Sequence, residues 1–165
     1  MKYQKIDSNL FIKNRKNFLG RMKPNSIAFF NSNDIYPVSA DSTLPFEQHR
    51  DIFYLSGVDQ EESVLMLCPS CSDQNLREVL FLKETDEHIA VWEGPKLNKK
   101  QAFETSGIKS VFWLDEMENI IDKVMNECET IYYNHNEHYR AKIEMETREE
   151  RFNKWLKSKY PNKLK

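Results

Sequence analysis

Apolar residues along this chain recur either at helical spacing or in short runs of strand length. Leu10 to Lys23 has its aromatic and aliphatic side chains on one stripe, which predicts a helix that ends before Pro24. Ser26 to Phe30 follows as a short apolar run, which is typical of a buried strand. The chain therefore opens with a helix and then a strand.

Neither period is visible from Ser32 to His49. Irregular loops of this length are uncommon in compact domains unless they are functional or disordered. This one contains stiff apolar residues, so we expect an ordered loop that lies across a surface. Asp51 to Ser56 and Val64 to Cys68 then form two closely spaced apolar runs, which predict a β-hairpin.

Two more strands are predicted from Glu78 to Lys83 and from His88 to Trp92, joined by an acidic turn. Consecutive hairpins would make this part of the sheet antiparallel. Asn98 with Gln101 has the spacing of a capping box and predicts a helix that ends at Gly107.

The last third of the chain alternates between strand and helix patterns. Strands are predicted at Ser110 to Leu114 and at Thr130 to Tyr133. Between them Met117 to Cys128 has a clear amphipathic stripe, with Asp115 and Glu118 as its predicted capping box. A final helix is predicted from about Ile143 to Tyr160. This alternation indicates crossover connections and a partly parallel sheet.

The combined pattern predicts one α/β domain of three layers, in which helices cover both faces of a mixed sheet of about six strands. The chain has 165 residues, which suits a single domain with a proper core. Its net charge of −2 favours neither nucleic acid nor an anionic membrane as a partner. With no apolar h-region and no long apolar run, we expect a cytoplasmic protein.

The sequence supplies few candidates for chemistry of its own. Cys68 and Cys71 have the CxxC spacing of a redox pair or half a zinc site, but a strand end and a loop explain them as well. His135 and His138 could share a metal ion, or simply lie in a polar loop. His49 is isolated in the sequence. The serines lack a GxSxG setting, and the four glycines form no phosphate-binding motif.

One stretch, SADSTLPFEQHRDIFYLSGVDQEESVLML, closely resembles the amino-terminal domain of Xaa-Pro aminopeptidases, also called aminopeptidase P. A second stretch, VWEGPKL, resembles the Trp-x-Gly element of that family. The matching positions are Ser39, Ala40, Asp41 and Ser42, then Pro45, Phe46 and Gln48, then Asp51, Phe53, Tyr54, Leu55, Ser56 and Gly57, and then Glu61, Val64 and Leu65. Glu47 and Arg50 depart from it, since the family more often has Arg and Ser there.

This resemblance implies a creatinase and aminopeptidase P amino-terminal domain of ribonuclease H-like topology over residues 1–165. In the family a carboxy-terminal "pita-bread" domain holds two divalent ions, usually manganese, through two Asp, one His and two Glu, and these ions activate the attacking water. We expect residues from about 143 to 165 to lead toward such a domain. This chain would then hold no metal and no catalytic residue, and would be inactive alone.

The resemblance also implies two residues near function and a set of partners. In the family the loops that carry Asp41 and Trp92 reach toward the active site of a neighbouring subunit, so both are expected to be substrate-adjacent or oligomer contacts. A turn aspartate and a core tryptophan are the simpler alternatives. The expected partners are the catalytic domain, neighbouring subunits of a homo-oligomer, and a peptide with proline in second position.

Three other functions stay open from the sequence. A prolidase or creatinase relative shares the two-domain build, and catalytically inactive relatives of the family are protein-binding modules. A sheet-based nuclease of similar topology is also conceivable, but the strand from Ser26 to Phe30 has no acidic residue to hold a metal.

Overall fold

The structure is a computed structural model that describes residues 4, 6–86, 88, 90–91, 94–136, 138 and 146–163. Its strands are β1 (Ser26–Asn31), β2 (Pro37–Ser39), β3 (Ser42–Thr43), β4 (Ser63–Leu67), β5 (Glu78–Leu82), β6 (Ser110–Trp113) and β7 (Thr130–Tyr133). Its described α-helices are α1 (Ser8–Leu19), α2 (Arg50–Ser56), α3 (Lys99–Ser106), α4 (Met117–Met125) and α5 (Arg148–Lys159).

Among the residues that the structure describes, the main sheet has five strands in the order β6-β5-β4-β1-β7. The central strand β4 is antiparallel to both of its neighbours, β1 and β5. The outer pairs are parallel: β1 with β7, and β5 with β6. Strands β2 and β3 form a separate two-stranded ribbon. The predicted mixed sheet and α/β class are confirmed, with five strands in the main sheet.

Alternate residues of the sheet form two apolar cores, one on each face. Ile27 and Phe29 of β1 belong to a cluster that includes the apolar faces of α4 and α5. Ala28 and Phe30 belong to the other, which includes residues of α1, α2 and α3. Because successive side chains of a strand point to opposite faces, one apolar run serves both cores. The domain therefore has the three predicted layers.

The predicted strand at Asp51 to Ser56 is wrong, because this segment is helix α2. The His49 side chain accepts a hydrogen bond from the Asp51 amide at 3.3 Å, and Gly57 ends the helix at φ 71°. Ile52 is buried whereas Tyr54 is 56% exposed, which suits a helix with one apolar face. The predicted hairpin is also wrong, because β4 already pairs with β1 and β5.

The predicted strand at His88 to Trp92 is also wrong where the structure describes it. His88, Ala90 and Val91 are helical, and the Ala90 amide donates to the Asp86 carbonyl at 3.0 Å. Strand β5 is flanked by β4 and β6, so it offers no free edge for a hairpin partner. Trp92 lies outside the described residues.

Some of the predicted helix boundaries are confirmed and others are wrong. The capping box of Asn98 and Gln101 and the stop at Gly107 are confirmed. The predicted box at Asp115 and Glu118 is wrong, because a 3₁₀ turn precedes α4, and its Glu116 carboxylate accepts from the Trp113 amide at 2.9 Å. Helix α5 is capped by Thr147, and the predicted earlier start at 143–145 lies outside the described residues.

Helix α1 packs across the ends of two other helices. Gly57 ends α2 and Gly107 ends α3, and both have positive φ, at 71° and 73°. A Cβ atom at Gly57 would overlap the Phe11 ring, and one at Gly107 would lie 2.6 Å from Ile12 Cδ1. Glycine is required at these ends both for the left-handed backbone and for the close approach of α1.

Candidate functional site

The long loop between β1 and α2 carries Asp41 on a turn. Strands β2 and β3 pair within it, and Ala40 and Asp41 connect them. Ala40 has φ 49°, a left-handed conformation that lets two residues reverse the chain. Asp41 is exposed, so its carboxylate is available to a ligand or a neighbouring protein.

Gln48 fixes the end of this loop. Its amide nitrogen donates to the carbonyls of Val58 at 3.0 Å and Gln60 at 2.8 Å, and its Oε1 atom accepts from the His49 amide at 2.8 Å. The Gln48 side chain therefore links the start of α2 to the residues between the end of α2 and the start of β4. The motif glutamine is thus a structural residue that anchors the end of this loop beside α2.

A second anchor holds the segment that follows Gly94. Lys96 Nζ forms an ion pair with Glu61, and the two side chains are only 7% and 17% exposed. The Leu97 amide donates to Gln60 Oε1 at 2.7 Å. Gln60 and Glu61, which precede β4, therefore contact both motif segments, the one before α2 and the one after Gly94. The described residues do not include Trp92, so its relation to Asp41 stays a prediction.

A polar cavity of about 270 Å³ opens at the carboxyl ends of the parallel strands β1 and β7. The loops after these strands and the start of α5 line it, and the residues that matter for its chemistry are His49, His135, Arg148 and Glu149. An adjoining cavity of about 720 Å³ shares His49, His135 and Glu149. The carboxyl edge of parallel strands is where open α/β sheets commonly form a ligand crevice.

One acidic and one basic side chain in this cavity, Glu149 and Arg148, have shifted pKa values. Burial raises the pKa of Glu149, while nearby His49 and His135 act in the opposite direction. Burial also lowers the pKa of Arg148, against the opposing effect of Glu62 and Asp34. The Asp34 carboxylate accepts from the Arg148 amide at 2.5 Å and from Arg151 Nη2 at 2.6 Å, so it already occupies the first turn of α5.

The candidates for metal or nucleophile chemistry separate in the structure. No group of three or more His, Cys, Asp or Glu residues that could hold a metal ion exists among the described residues. His135 lines the cavity, whereas the His138 amide donates to Asn136 Oδ1 at 3.1 Å in a local turn. Cys68 and Cys71 are both buried free thiols.

The cavity is the feature that the sequence did not reveal. His49 is isolated in the sequence, and Glu149 lies on the final predicted helix far along the chain, but the fold brings both to one crevice. A signal was available in the alternation of strands and helices, because crossover connections place loops at the carboxyl ends of parallel strands. In the part of the chain that the structure describes, no helix is long and apolar enough to span a membrane.

Comparison with known proteins gives a family. Residues 11–132 match the model of "Aminopeptidase P, N-terminal domain". The chain is 27% identical over 138 residues to Xaa-Pro aminopeptidase of Escherichia coli, a match that covers 84% of this chain and 31% of the relative. It is 29% identical over 105 residues to Xaa-Pro aminopeptidase 3 of Rattus norvegicus, covering 62% and 21%.

Solved structures share the fold. A putative aminopeptidase P from Bacillus anthracis superposes with a TM-score of 0.81 at 22% identity, covering 97% of this chain and 38% of that one. The low-pH form of aminopeptidase P from Escherichia coli gives a TM-score of 0.71 at 26% identity, covering 84% and 31%. The chain thus spans between about a fifth and two fifths of the length of these relatives. Since the family model matches most of its length, the chain belongs to the aminopeptidase P N-terminal domain family.

Proposed function

We propose that this chain is the non-catalytic amino-terminal domain of a metal-dependent Xaa-Pro aminopeptidase. The parent protein removes the first residue from peptides that have proline in second position. The domain serves assembly of a homo-oligomer and closure of the active site. The observation that carries this proposal is the family match over residues 11–132.

The relatives support the aminopeptidase over its alternatives. Those described above are named Xaa-Pro aminopeptidases, which favours this activity over that of a prolidase or creatinase. The matched region is 31% of the Escherichia coli relative and 21% of the Rattus norvegicus relative, so there is room for a catalytic domain in a parent of the same build. A protein-binding module remains the outcome if the parent proves inactive.

The metal ions of the proposed reaction do not fit the described residues, which gather no set of three donors. We therefore assign the ions, two and most simply manganese, to a catalytic domain of the parent. When bound, such ions lower the pKa of a water molecule and stabilise developing negative charge. The residues of this chain act on binding and position.

Asp41 is the residue of this chain best suited to meet the substrate. It is exposed at the tip of the β2–β3 ribbon, where a carboxylate can accept hydrogen bonds from the ammonium group of a peptide. Trp92 is assigned the role of a rigid apolar contact, either with substrate or with a neighbouring subunit. The anchors at Gln48 and Lys96 would hold the two segments at fixed places on one scaffold.

The test uses the parent protein, encoded by the reading frame extended past Lys165. Asp41→Asn removes the charge and keeps the shape, and Glu104→Gln is a matched control at an exposed carboxylate on α3. We expect Asp41→Asn to lower kcat/KM for an Xaa-Pro peptide about tenfold or to reduce oligomer size, and Glu104→Gln to change neither. Equal kinetics and equal oligomer size for all three proteins would remove Asp41 from the site.

Trp92 is tested by a graded pair of variants in the same parent. Trp92→Phe keeps an aromatic surface, whereas Trp92→Ala removes it, so activity or assembly should fall further in the second. The substrate separates the enzyme alternatives, because the proposed parent removes the first residue from a longer peptide that has proline in second position. A preference for Xaa-Pro dipeptides would contradict the assignment.

A further inference from the structure

Two cysteines that are far apart in the sequence are in contact in the core. Cys68 follows β4, and Cys128 lies between α4 and β7, sixty positions further along the chain. Their Sγ atoms are 3.4 Å apart, and each residue is only 1% exposed. A disulfide needs an S–S distance of about 2.0 Å, so the two sulfur atoms need to approach each other by only about 1.4 Å.

The third cysteine, Cys71, belongs to the same apolar cluster as the other two. Cys71 is also buried, and its amide donates to the Cys68 carbonyl at 3.1 Å in the turn after β4. In the part of the chain that the structure describes, no hydrogen bond joins the Cys71 sulfur to Cys68 or Cys128. The CxxC spacing in the sequence therefore points to the wrong partner for Cys68.

Either sulfur can donate to the other in this contact. The contact with Cys68 lowers the pKa of the Cys128 thiol, and Lys163, whose ammonium group donates to the Cys128 carbonyl, acts in the same direction. The same contact, together with burial, raises the pKa of Cys68. Cys128 is thus the better nucleophile of the pair, because the ammonium group of Lys163 beside it favours the thiolate, which is the reactive form of cysteine.

We propose that Cys68 and Cys128 form a site of reversible oxidation that closes to a disulfide bond. The oxidant is a small peroxide, because both sulfur atoms are buried and only a small molecule reaches them through local opening of the core. The inference does not rest on the proposed function, since it concerns the core of this chain alone.

The reaction proceeds in two balanced steps. The Cys128 thiolate attacks one oxygen of hydrogen peroxide, the O–O bond breaks, hydroxide leaves, and Cys128 becomes a sulfenic acid. The Cys68 sulfur then attacks the sulfenic sulfur, the S–S bond forms, the S–O bond breaks, and the Cys68 proton leaves with the hydroxyl group as water. Two thiols are oxidised, and one peroxide is reduced to two waters.

The disulfide would stabilise the sheet. It would link the end of β4 to the start of β7 and close a long loop that contains β5, α3, β6 and α4. A cross-link of this kind reduces the conformational freedom of the unfolded chain. We expect oxidation to raise the Tm of the folded chain by roughly 5–10 °C.

The test maps disulfides after the folded chain is treated with hydrogen peroxide. Remaining thiols are alkylated in denaturant, and the chain is digested without reductant for mass spectrometry. We expect a peptide that links Cys68 to Cys128, an alkylated Cys71, and a raised Tm that returns to its original value after dithiothreitol. A Cys68–Cys71 linkage, or three free thiols after peroxide treatment of the folded chain, would overturn the proposal.

Cysteine variants give an independent check on the cross-link. Cys71→Ala should keep the cross-link and the gain in Tm. Cys68→Ala should lose both and leave Cys128 to be overoxidised to the sulfinic acid. If a core variant fails to fold, the peptide map of the unaltered chain decides the question by itself.

Discussion

Arg15 and Glu78 join α1 to the sheet through a buried guanidinium. Arg15 Nε donates to Glu78 Oε2 at 2.8 Å, and the Arg15 side chain is 1% exposed. Its Nη1 atom donates to the carbonyls of Leu55 at 2.8 Å and Ser106 at 2.9 Å, which lie in the last turns of α2 and α3. One side chain thus satisfies the ends of two helices and a carboxylate of β5.

Arg15→Ala should therefore cost about 3–5 kcal/mol in the free energy of unfolding, because three acceptors lose their partner. Arg15→Lys should cost less but still be destabilising, since a single ammonium group cannot reproduce the fork of the guanidinium. Urea denaturation measures both. Lys13→Ala, on the exposed face of the same helix, is the control and should change stability by less than about 0.5 kcal/mol. A similar small effect for Arg15→Ala would contradict this role.

The two helix-ending glycines make a second stability prediction. Gly57→Ala and Gly107→Ala should each lower the free energy of unfolding by about 2–4 kcal/mol. Alanine would have to adopt a left-handed backbone at these positions, and its Cβ atom would also collide with α1. Gly94→Ala is a matched control: it has φ 79° but nothing within 4 Å of the added atom. It should cost only about 1 kcal/mol in the same denaturation experiment. Equal costs at all three positions would show that the contact with α1 is unimportant.

The Lys96–Glu61 pair should behave as a buried ion pair. Lys96→Met leaves the Glu61 carboxylate buried without its ammonium partner, and should cost about 3 kcal/mol. The double variant Glu61→Leu with Lys96→Met removes both charges and should recover most of that loss. Chemical denaturation of the single and double variants completes the cycle. Additive losses would mean that the two side chains are not coupled.

These residues also show what the sequence could predict. The capping box at Asn98, the stop at Gly107 and the stripe of α4 are local patterns, and the structure confirms them. Asp51 to Ser56 was wrongly predicted as a strand, because a short apolar run fits either element and its outcome depends on the cap at His49 and on the pairing of β4.

The candidate site, too, could be predicted from the sequence only in part. The motif around Asp41 was visible as a resemblance, and the family match agrees with it. The cavity that joins His49 to Glu149 was not visible, because the fold alone brings these distant positions together. The contact between Cys68 and Cys128 was not visible either, because the CxxC spacing in the sequence pairs Cys68 with the nearer Cys71.

The cavity predicts a pH dependence of stability at Glu149. Burial raises the pKa of this carboxyl in the folded state above its ordinary value of 4.5. Its contribution to stability is therefore complete below pH 4.5 and is lost as the pH rises through the raised pKa. Glu149→Gln should accordingly gain stability relative to the unaltered chain on going from about pH 4 to pH 7.

Urea denaturation of the unaltered chain and of Glu149→Gln at both pH values measures this difference. Glu104→Gln is again the control, because its carboxylate is exposed and should show no such change. A relative loss of stability for Glu149→Gln at the higher pH would mean that His49 and His135 hold Glu149 in its charged form.

The most direct test of the central claim is a comparison of two proteins in one assay. The 165-residue chain alone and the parent extended past Lys165 are each given an Xaa-Pro-Xaa tripeptide with and without manganese. The account predicts manganese-dependent release of the first residue by the parent and none by the chain. Cleavage by the chain alone, or no cleavage by a folded, metal-loaded parent, would contradict it.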